Sequence, residues 1–524
     1  MRRPKPVILA VVSGFGIGPA QDQNAIRQAH LPFFDQLTET YPAIALRAAG
    51  DMVGKEEASI GTPEAGHRTI GAGRVIYESV PRIRQEIATG RFYTQPTLRN
   101  TCRHVVKRES TLHLIGMLSA AEQHARRDHL EALLELAKRE GVARVALHLV
   151  LDGIDTPSQA ALTNIRSLEE YLTTNGIGTI ASLCGRRWAM DPSGLWDRIE
   201  ACYRAMAQAE GPAFPNATDA LESSYAKRIF DDELHPCVIL QRGGATFHFE
   251  SGDACIFFNT LPAPKRRLVQ AFTLPSFSAF DRPKTKMNRF VTLTEYDKDL
   301  PVQVAYPPLQ IDTTLGSVIS EAGLTQLRIA ETEGFAHLTY DLNGMREESY
   351  PGEERVLIPS PQVSRYEQVP EMRTQRIADR VVKEIAQGIH DVMFVEFSAP
   401  DLIAMTGDEM ATIRACEVVD RALGKIADAT LAVGGALLVT SDHGHAEAMR
   451  DPATDRLNRI GTRNPVPFLV VGRAFEGLKA PRGDMIGGDL ASTAALGSLS
   501  DIAPTMLQIL GLRIPKEMTG HPLI

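Results

Sequence analysis

Cysteine is scarce in this chain of 524 residues, and its six cysteines include no CxxC pair and no ligand-like spacing. Without such spacings the sequence predicts neither a disulfide framework nor a zinc–thiolate site. The cysteines are Cys102, Cys184, Cys202, Cys237, Cys255 and Cys416. We expect them to be reduced thiols, and we therefore expect a cytoplasmic protein.

An excess of basic residues is absent as well. With 56 Lys and Arg against 64 Asp and Glu, the formal net charge is −8, which argues against nucleic acid and anionic membranes as partners. No apolar run is long enough to span a bilayer. The first residues, MRRPKPVILAVVSGFG, lack a small-residue cleavage pattern, so a buried first strand is favoured over a signal peptide.

Short apolar runs that end in polar or glycine-containing turns alternate with helical patterns. The runs include PVILAVVSGFG, VARVALHLVLDGID, DVMFVEFSAPD and GALLVTSDHGH, and helical apolar spacing covers 128–141 and 408–428. This alternation predicts α/β layers around mostly parallel sheets. Ligands of such sheets gather beyond the carboxyl ends of the strands, so polar groups there are the first candidates for chemistry.

The length of the chain predicts two domains, because 524 residues exceed what a single core usually holds. A second domain is predicted over residues 81–300, which carry a strand–helix series of their own. Its crossing points would be YESVPRIRQEI, around residue 81, and the proline-marked stretch 291–311. Residues 1–80 and 301–524 would then form the other domain.

Two motifs offer metal ligands after predicted strands. SDHGH places Asp442, His443 and His445 on one tight turn, and carboxylate with imidazole suits Zn²⁺ or Mn²⁺. The alternative is a polar loop whose aspartate caps the turn, and the motif alone does not separate the two. In APDLIAMTGDE, Asp401 is a candidate ligand, although an aspartate after proline is more often an N-cap or turn residue.

Two further motifs offer groups for an anionic ligand. LDGIDTP carries Asp152 and Asp155, and GRRWAMDPSGLWDR carries Arg186 and Arg187. An arginine after a glycine turn suits bidentate recognition of a phosphate or carboxylate. A solvated surface arginine is the alternative, and it is favoured when each motif is taken alone.

Taken together, the ordered motifs resemble the cofactor-independent (2,3-bisphosphoglycerate-independent) phosphoglycerate mutase family of the alkaline phosphatase superfamily. They include IGAGRVIYESVPRI, HLIGMLS, DGIDTP, PGEERVLIPSP, SDHGHAE, NPVPFLVVG and EMTGHPLI, and they run nearly end to end. The resemblance implies an alkaline-phosphatase-like doubly wound sheet domain with an inserted α/β phosphotransferase-like domain. It also implies transfer of a phosphoryl group between two carbons of phosphoglycerate through a serine activated by two Mn²⁺ ions.

The serine of that family is missing from the matching loop. The family loop reads G-N-S-E-V-G-H, and here Gly61-Thr62-Pro63-Glu64-Ala65-Gly66-His67 places proline at the serine position. The same resemblance assigns one metal site to an aspartate, this serine and the Asp-His of D-H-G. Of these ligands Asp442 and His443 remain, whereas the first aspartate is Ser13. No catalytic residue is predicted.

The second metal site of the family has also lost ligands in this chain. Asp401 is retained, but the two histidine positions are Met405 and Gly461. A dinuclear manganese centre is therefore not expected, and one divalent ion, Mn²⁺ or Zn²⁺, is the most that we predict. Thr62 offers a hydroxyl one residue early, but the fixed flanks of the loop leave no gap for a register shift. The favoured way to retain a metal site is for His445, which replaces an asparagine of the family, to join the retained ligands around a single ion.

The family's substrate site is retained only in part. The resemblance assigns substrate binding to His124, Asp155 and Arg186. Other charged positions of the family have been replaced, by Ile154, Pro192, Leu261, Pro264 and Gly334. Burying the charge of a phosphoglycerate requires cationic or metal partners, so the loss of several such partners argues against the family reaction.

Three hypotheses follow. The first is a catalytically inactive or regulatory relative, which would bind a small phosphorylated or carboxylate ligand or an active paralogue. The second is a divergent one-metal hydrolase or isomerase acting on a different substrate. The third, ranked last, is an active phosphoglycerate mutase with an altered site.

Overall fold

The computed structural model describes residues 3–19, 23–121, 124–191, 195–241, 243–261, 266–282, 289–451, 454–478 and 489–524. The substitutions at Pro192 and Pro264 lie outside these residues. The chain divides into two compact units, which we call unit 1 (Met1–Pro81 with Leu309–Ile524) and unit 2 (Arg82–Pro308). Among the described residues, no helix combines the length and apolarity that crossing a membrane requires.

Unit 1 is built on an eight-stranded sheet. In spatial order its strands are Glu353–Ile358, Gln326–Glu331, Val392–Phe397, Val7–Val12, Ala436–Thr440, Val466–Val471, Ala43–Arg47 and Gly497–Ser498. Val466–Val471 is antiparallel to both neighbours, and the other pairs are parallel. The central strand Val7–Val12 is buried along its whole length, as expected for a parallel strand covered on both faces.

Helices cover both faces of this sheet. The α-helices that lie wholly in unit 1 are Ala25–Gln28, Pro32–Thr40, Pro63–Ala72, Leu315–Glu321, Thr332–Ala336, Thr374–Gln387, Ala399–Thr406, Glu409–Ala432 and Ile502–Ile509. Alternate residues of the central strand enter two separate cores, with Ile8 in one and Leu9 in the other. The predicted α/β, doubly wound architecture is confirmed.

Unit 2 has its own eight-stranded sheet. In spatial order the strands are Gln303–Tyr306, Arg289–Thr294, Ala254–Phe257, Leu112–Leu118, Val145–Leu151, Thr179–Gly185, Cys237–Ile239 and Ala213–Phe214. Its helices are Pro96–Arg108, Arg127–Arg139, Ala161–Asn175, Arg186–Ala189, Trp196–Ala207, Ala217–Ala226 and Arg266–Thr273, and Ser79–Ala88 spans the boundary with unit 1. Among the described residues of unit 2, one apolar core joins the sheet to these helices.

A chain of buried polar side chains crosses the sheet of unit 2. His113 lies 2.9 Å from His148 between ring nitrogens, His113 Nε2 lies 3.2 Å from Asp253, and His148 Nδ1 lies 2.8 Å from Ser182 Oγ. All three contacts can be hydrogen bonds with one proton each if both imidazoles are neutral and the hydroxyl of Ser182 donates to His148. Burial lowers the pKa of His113, although the Asp253 carboxylate acts to raise it. Burial also holds the pKa of His148 well below its usual value.

The stability of unit 2 is expected to fall as the pH drops below about 6.5. Because the folded pKa of each imidazole is depressed, the unfolded chain binds more protons there, and each histidine costs up to about 1.4 kcal/mol per pH unit. Both tryptophans, Trp188 and Trp196, belong to unit 2, so denaturant titrations followed by tryptophan fluorescence measure the effect. The exposed His235→Gln variant should retain the slope, whereas a pH-independent midpoint between 5 and 6.5 would contradict the prediction.

Candidate active and metal site

The candidate site of unit 1 lies where three adjacent strands end. Ser13 follows the strand Val7–Val12, and the SDHGH turn follows its neighbour Ala436–Thr440. On the other side, Val392–Phe397 leads into the helix Ala399–Thr406, which carries Asp401. Since these strands are parallel, their carboxyl ends meet at one edge of the sheet, where the topology of α/β proteins places ligands.

A first cluster contains Asp401, His443 and His445, all of them buried. Asp401 Oδ1 lies 2.6 Å from His445 Nδ1 and 3.2 Å from His443 Nε2. Burial disfavours the charge on Asp401, but the two rings outweigh it and lower its pKa to about 2. Asp401 is inside its helix, whose N-cap is Ser398, so the alternative of a capping aspartate does not apply.

The outer side of each ring in this cluster also has a partner. His443 Nδ1 lies 2.9 Å from Asp442 Oδ1, and His445 Nε2 lies 3.3 Å from the carbonyl oxygen of Asn458. Asp442 in turn accepts hydrogen bonds from the Ser13 hydroxyl at 2.9 Å and from the His443 amide at 2.9 Å. Each imidazole is thus held with its inner nitrogen towards Asp401.

A second cluster contains His67, Glu396 and Asp442. His67 Nε2 lies 2.7 Å from Glu396, and Nδ1 lies 2.9 Å from the carbonyl oxygen of Pro63 and 3.5 Å from Asp442. Both ring nitrogens face acceptors, so both carry a proton and the ring is a buried imidazolium. Burial opposes this charge, but the Glu396 carboxylate overcomes it and raises the pKa of His67 to about 9.

The position that aligns with the family's serine lies at a helix N-terminus. Pro63 is the first residue of the helix Pro63–Ala72, a position that proline favours because its amide would have no helical partner. Thr62 is the N-cap, and its hydroxyl accepts a hydrogen bond from the Ala65 amide. The hydroxyl adjacent to the nucleophile position therefore caps the helix.

Close contacts determine which side chains fit around the site. Gly461 has φ of +104°, and a Cβ there would lie 3.2 Å from His443, so a histidine at this position would be strained. A Cβ at Gly334 would lie 2.5 Å from Glu396 Cγ. The Glu396 side chain therefore occupies the space that the Cβ of any other residue at 334 would need. Met405 is 48% exposed at the surface of its helix.

In unit 2 the three predicted substrate-binding residues lie together. Arg186 donates to Asp155 at 2.6 Å and lies 3.1 Å from His124 Nε2. It also donates to Asp152 at 2.6 Å, and Asp152 accepts from the Ser119 hydroxyl at 2.5 Å. The Arg186 side chain is only 13% exposed, so it is not the solvated surface arginine of the alternative interpretation. Two carboxylates already compensate its charge.

The sequence interpretation did not identify His67 and Glu396 as members of the site. A signal for Glu396 was present, because a carboxylate in the middle of the buried strand MFVEF must have a partner. His67 matches the last residue of the family loop G-N-S-E-V-G-H, but that match does not indicate its partner. Its partner is 329 residues away in the chain.

Comparisons with known proteins agree on one family. The profile described as BPG-independent PGAM N-terminus matches residues 83–298. The proteins named 2,3-bisphosphoglycerate-independent phosphoglycerate mutase from Clostridium perfringens (strain 13 / Type A) and Moorella thermoacetica are each 40% identical over 521 residues. The alignments cover 99% of this chain and 99% and 98% of those proteins. A solved structure of Leishmania mexicana phosphoglycerate mutase at low cobalt concentration matches with a TM-score of 0.54 and 28% identity, covering 99% of this chain and 97% of that one.

Proposed function

This chain belongs to the family of 2,3-bisphosphoglycerate-independent phosphoglycerate mutases, and from that premise we propose that it is a member without mutase activity, retained as a binding or regulatory protein. Its fold is the alkaline-phosphatase-like one with an inserted domain. The observation that carries the proposal is Pro63, a residue with neither a hydroxyl nor an amide hydrogen at the position of the nucleophile.

The local packing supports this proposal because it prevents Thr62 from taking the place of the missing serine. Gly61 lies against Ala48 and His443, and Gly66 lies against the backbone of Asp442. These contacts fix the register on both sides of Thr62. Its hydroxyl is also engaged as the N-cap of the following helix.

The residues present do not fit the pair of ions that the family mechanism uses. Ser13 and Pro63 occupy two ligand positions of one ion, and Met405 and Gly461 occupy two of the other. Two-metal phosphoryl transfer needs both ions to stabilise the attacking and leaving oxygens. We therefore infer that no transfer step of that kind takes place.

The proposed ligand is a small phosphorylated or carboxylate molecule that binds at Arg186 and His124, and an active paralogue is the proposed protein partner. Arg186 offers a planar guanidinium that suits both kinds of anion, although Asp152 and Asp155 compete for it. We also propose a cytoplasmic location, which is supported by six cysteines that are all free and buried.

A divergent one-metal hydrolase or isomerase is the second candidate. It is favoured by the buried cluster of Asp401, His443 and His445, since one ion with three protein ligands is the arrangement of many catalytic zinc sites. Such an enzyme would act on a less anionic substrate than phosphoglycerate. Its activity would be abolished by chelation, and this separates it from an inactive relative.

Purified protein incubated with 3-phosphoglycerate and Mn²⁺ tests the proposed function. We expect no formation of 2-phosphoglycerate in an enolase-coupled assay and no phosphorylated residue by intact mass spectrometry, because position 63 has no nucleophile. The Clostridium perfringens relative assayed in parallel is the positive control, and Pro63→Ser should remain inactive for lack of metal ligands. Turnover by the unaltered chain, or rescue of a mutase-deficient strain, would contradict the proposal.

A further inference from the structure

We propose that Asp401, His443 and His445 bind a single Zn²⁺ ion through one carboxylate oxygen and two imidazole nitrogens, with Asp442 as the outer partner of His443. The inference rests on the proposed loss of the dinuclear centre and assigns the ion that remains. It differs from the set predicted from the sequence, in which Asp442 is itself a ligand.

The spacing of the three donor atoms suits one small ion. Ligand atoms about 2.1 Å from a tetrahedral ion lie roughly 3.4 Å from one another. In the structure Asp401 Oδ1 lies 3.2 Å from His443 Nε2 and 2.6 Å from His445 Nδ1, and all three donor atoms lie within 4.8 Å of one another. The Asp401–His443 separation is close to this value, and the Asp401–His445 separation would have to widen by about 0.8 Å to reach it.

The outer hydrogen bonds orient both rings as metal-bound histidines require. Such histidines usually donate the second ring N–H to a carboxylate or a backbone carbonyl. Here His443 Nδ1 faces Asp442 and His445 Nε2 faces the carbonyl oxygen of Asn458. The inner nitrogens are therefore those that face Asp401, and either protons or a metal ion must separate them from its carboxylate.

The recruitment of His445 compensates for ligands that this chain lacks. Met405 has no hard ligand atom, and Gly461 has no side chain and a φ of +104° at which any other residue would be strained. His445 contacts the Asp401 carboxylate from the SDHGH turn, which follows the strand next to Val7–Val12. Two nitrogens and one oxygen suit Zn²⁺, whereas Mg²⁺ and Ca²⁺ prefer all-oxygen sites.

The other group of possible ligands among the described residues, His67, Glu396 and Asp442, contains a buried ion pair between His67 and Glu396. His67 Nε2 pairs with Glu396 at 2.7 Å, and Nδ1 lies 2.9 Å from the carbonyl oxygen of Pro63. Asp442 already accepts from Ser13, from its neighbour's amide and from the His443 ring. The buried imidazolium of His67 supplies a positive charge beside Asp442, which in the family mechanism is the role of a metal ion.

Metal titration of the full-length protein, stripped with chelator beforehand, tests the assignment. We expect one Zn²⁺ per chain by elemental analysis and calorimetry, and Co²⁺ should give the absorption bands of a four-coordinate N₂O site with one water. His445→Asn should weaken Zn²⁺ binding at least 100-fold, and Asp442→Asn should weaken it about 10–100-fold as an outer partner. His521→Asn, at an exposed histidine, is the matched control and should leave the affinity unchanged.

The outcomes separate this inference from the proposed function. No bound metal would overturn the inference and leave an inactive mutase relative intact, whereas two ions per chain would overturn both. One ion retained at full affinity in His445→Asn would refute the ligand set. Should a variant fail to fold, X-ray absorption of the unaltered zinc-loaded protein still decides, because fewer than two nitrogen ligands would contradict the site.

Discussion

Replacing Glu396 with glutamine is expected to lower the free energy of unfolding of unit 1 by about 3–5 kcal/mol. The carboxylate of Glu396 lies 2.7 Å from His67, and both side chains are fully buried. Removing Glu396 takes the nearest carboxylate from the buried charge of His67 and leaves only Asp442, 3.5 Å from Nδ1, to compensate it. Chemical denaturation followed by far-UV circular dichroism measures the loss, and the tryptophans of unit 2 provide an internal reference.

The pH dependence of the same variant tests the cause. Because the folded pKa of His67 is raised from 6.5 to about 9, its contribution is fully present below pH 6.5 and is lost as the pH rises through 9. The difference between variant and wild type should therefore shrink above pH 9. Glu348→Gln, at a mostly exposed ion pair, is the control and should change stability by under about 1 kcal/mol. An equally small effect at Glu396 would refute the buried ion pair.

Replacing Gly66 with alanine is expected to destabilise unit 1 by about 3 kcal/mol, although alanine is the better helix former. A Cβ at position 66 would lie 2.2 Å from the carbonyl oxygen of Asp442. Backbone in that turn cannot move aside without displacing His443. Thermal unfolding with circular dichroism detection measures the effect.

Gly388→Ala is the matched control for Gly66→Ala. Gly388 has φ of +67° but nothing within 4 Å of its added Cβ, so only backbone strain of about 1 kcal/mol is expected. If both variants lose the same stability, steric contact with the Asp442 turn is not the reason for glycine at 66. If Gly66→Ala costs clearly more, the helix and the turn are packed as the structure has them.

The two clusters at the sheet edge suggest how a chain can keep this fold without the dinuclear centre that we infer it has lost. Buried carboxylates without a metal ion would cost several kcal/mol each unless other groups paired with them. His67 and Ser13 supply partners to Asp442, and His443 and His445 supply partners to Asp401. A Cβ at Gly334 would lie 2.5 Å from Glu396 Cγ, so the observed position of the Glu396 side chain requires glycine at 334.

The sequence by itself determined the α/β architecture and the family. Alternating strand and helix periods leave few other folds, and motifs distributed over the whole chain match the relatives in order. The proline at position 63 is equally decisive, since no conformation gives that residue a hydroxyl. Asp401 and the Asp-His of SDHGH were likewise identified by their place after strands.

Only the tertiary structure decided how the polar groups pair. His67 meets Glu396 across 329 residues, and no sequence pattern links the two. His445 meets Asp401 across 44 residues, a grouping that the sequence suggested only through the family resemblance and whose geometry only the structure gives. The partner of a buried carboxylate depends on strand order and side-chain rotation, because a hydrogen bond is lost when the donor–acceptor distance grows by a few tenths of an ångström. The sequence states which polar groups are present. The distances between their donor and acceptor atoms are determined only when the sheet edges and helix ends pack together.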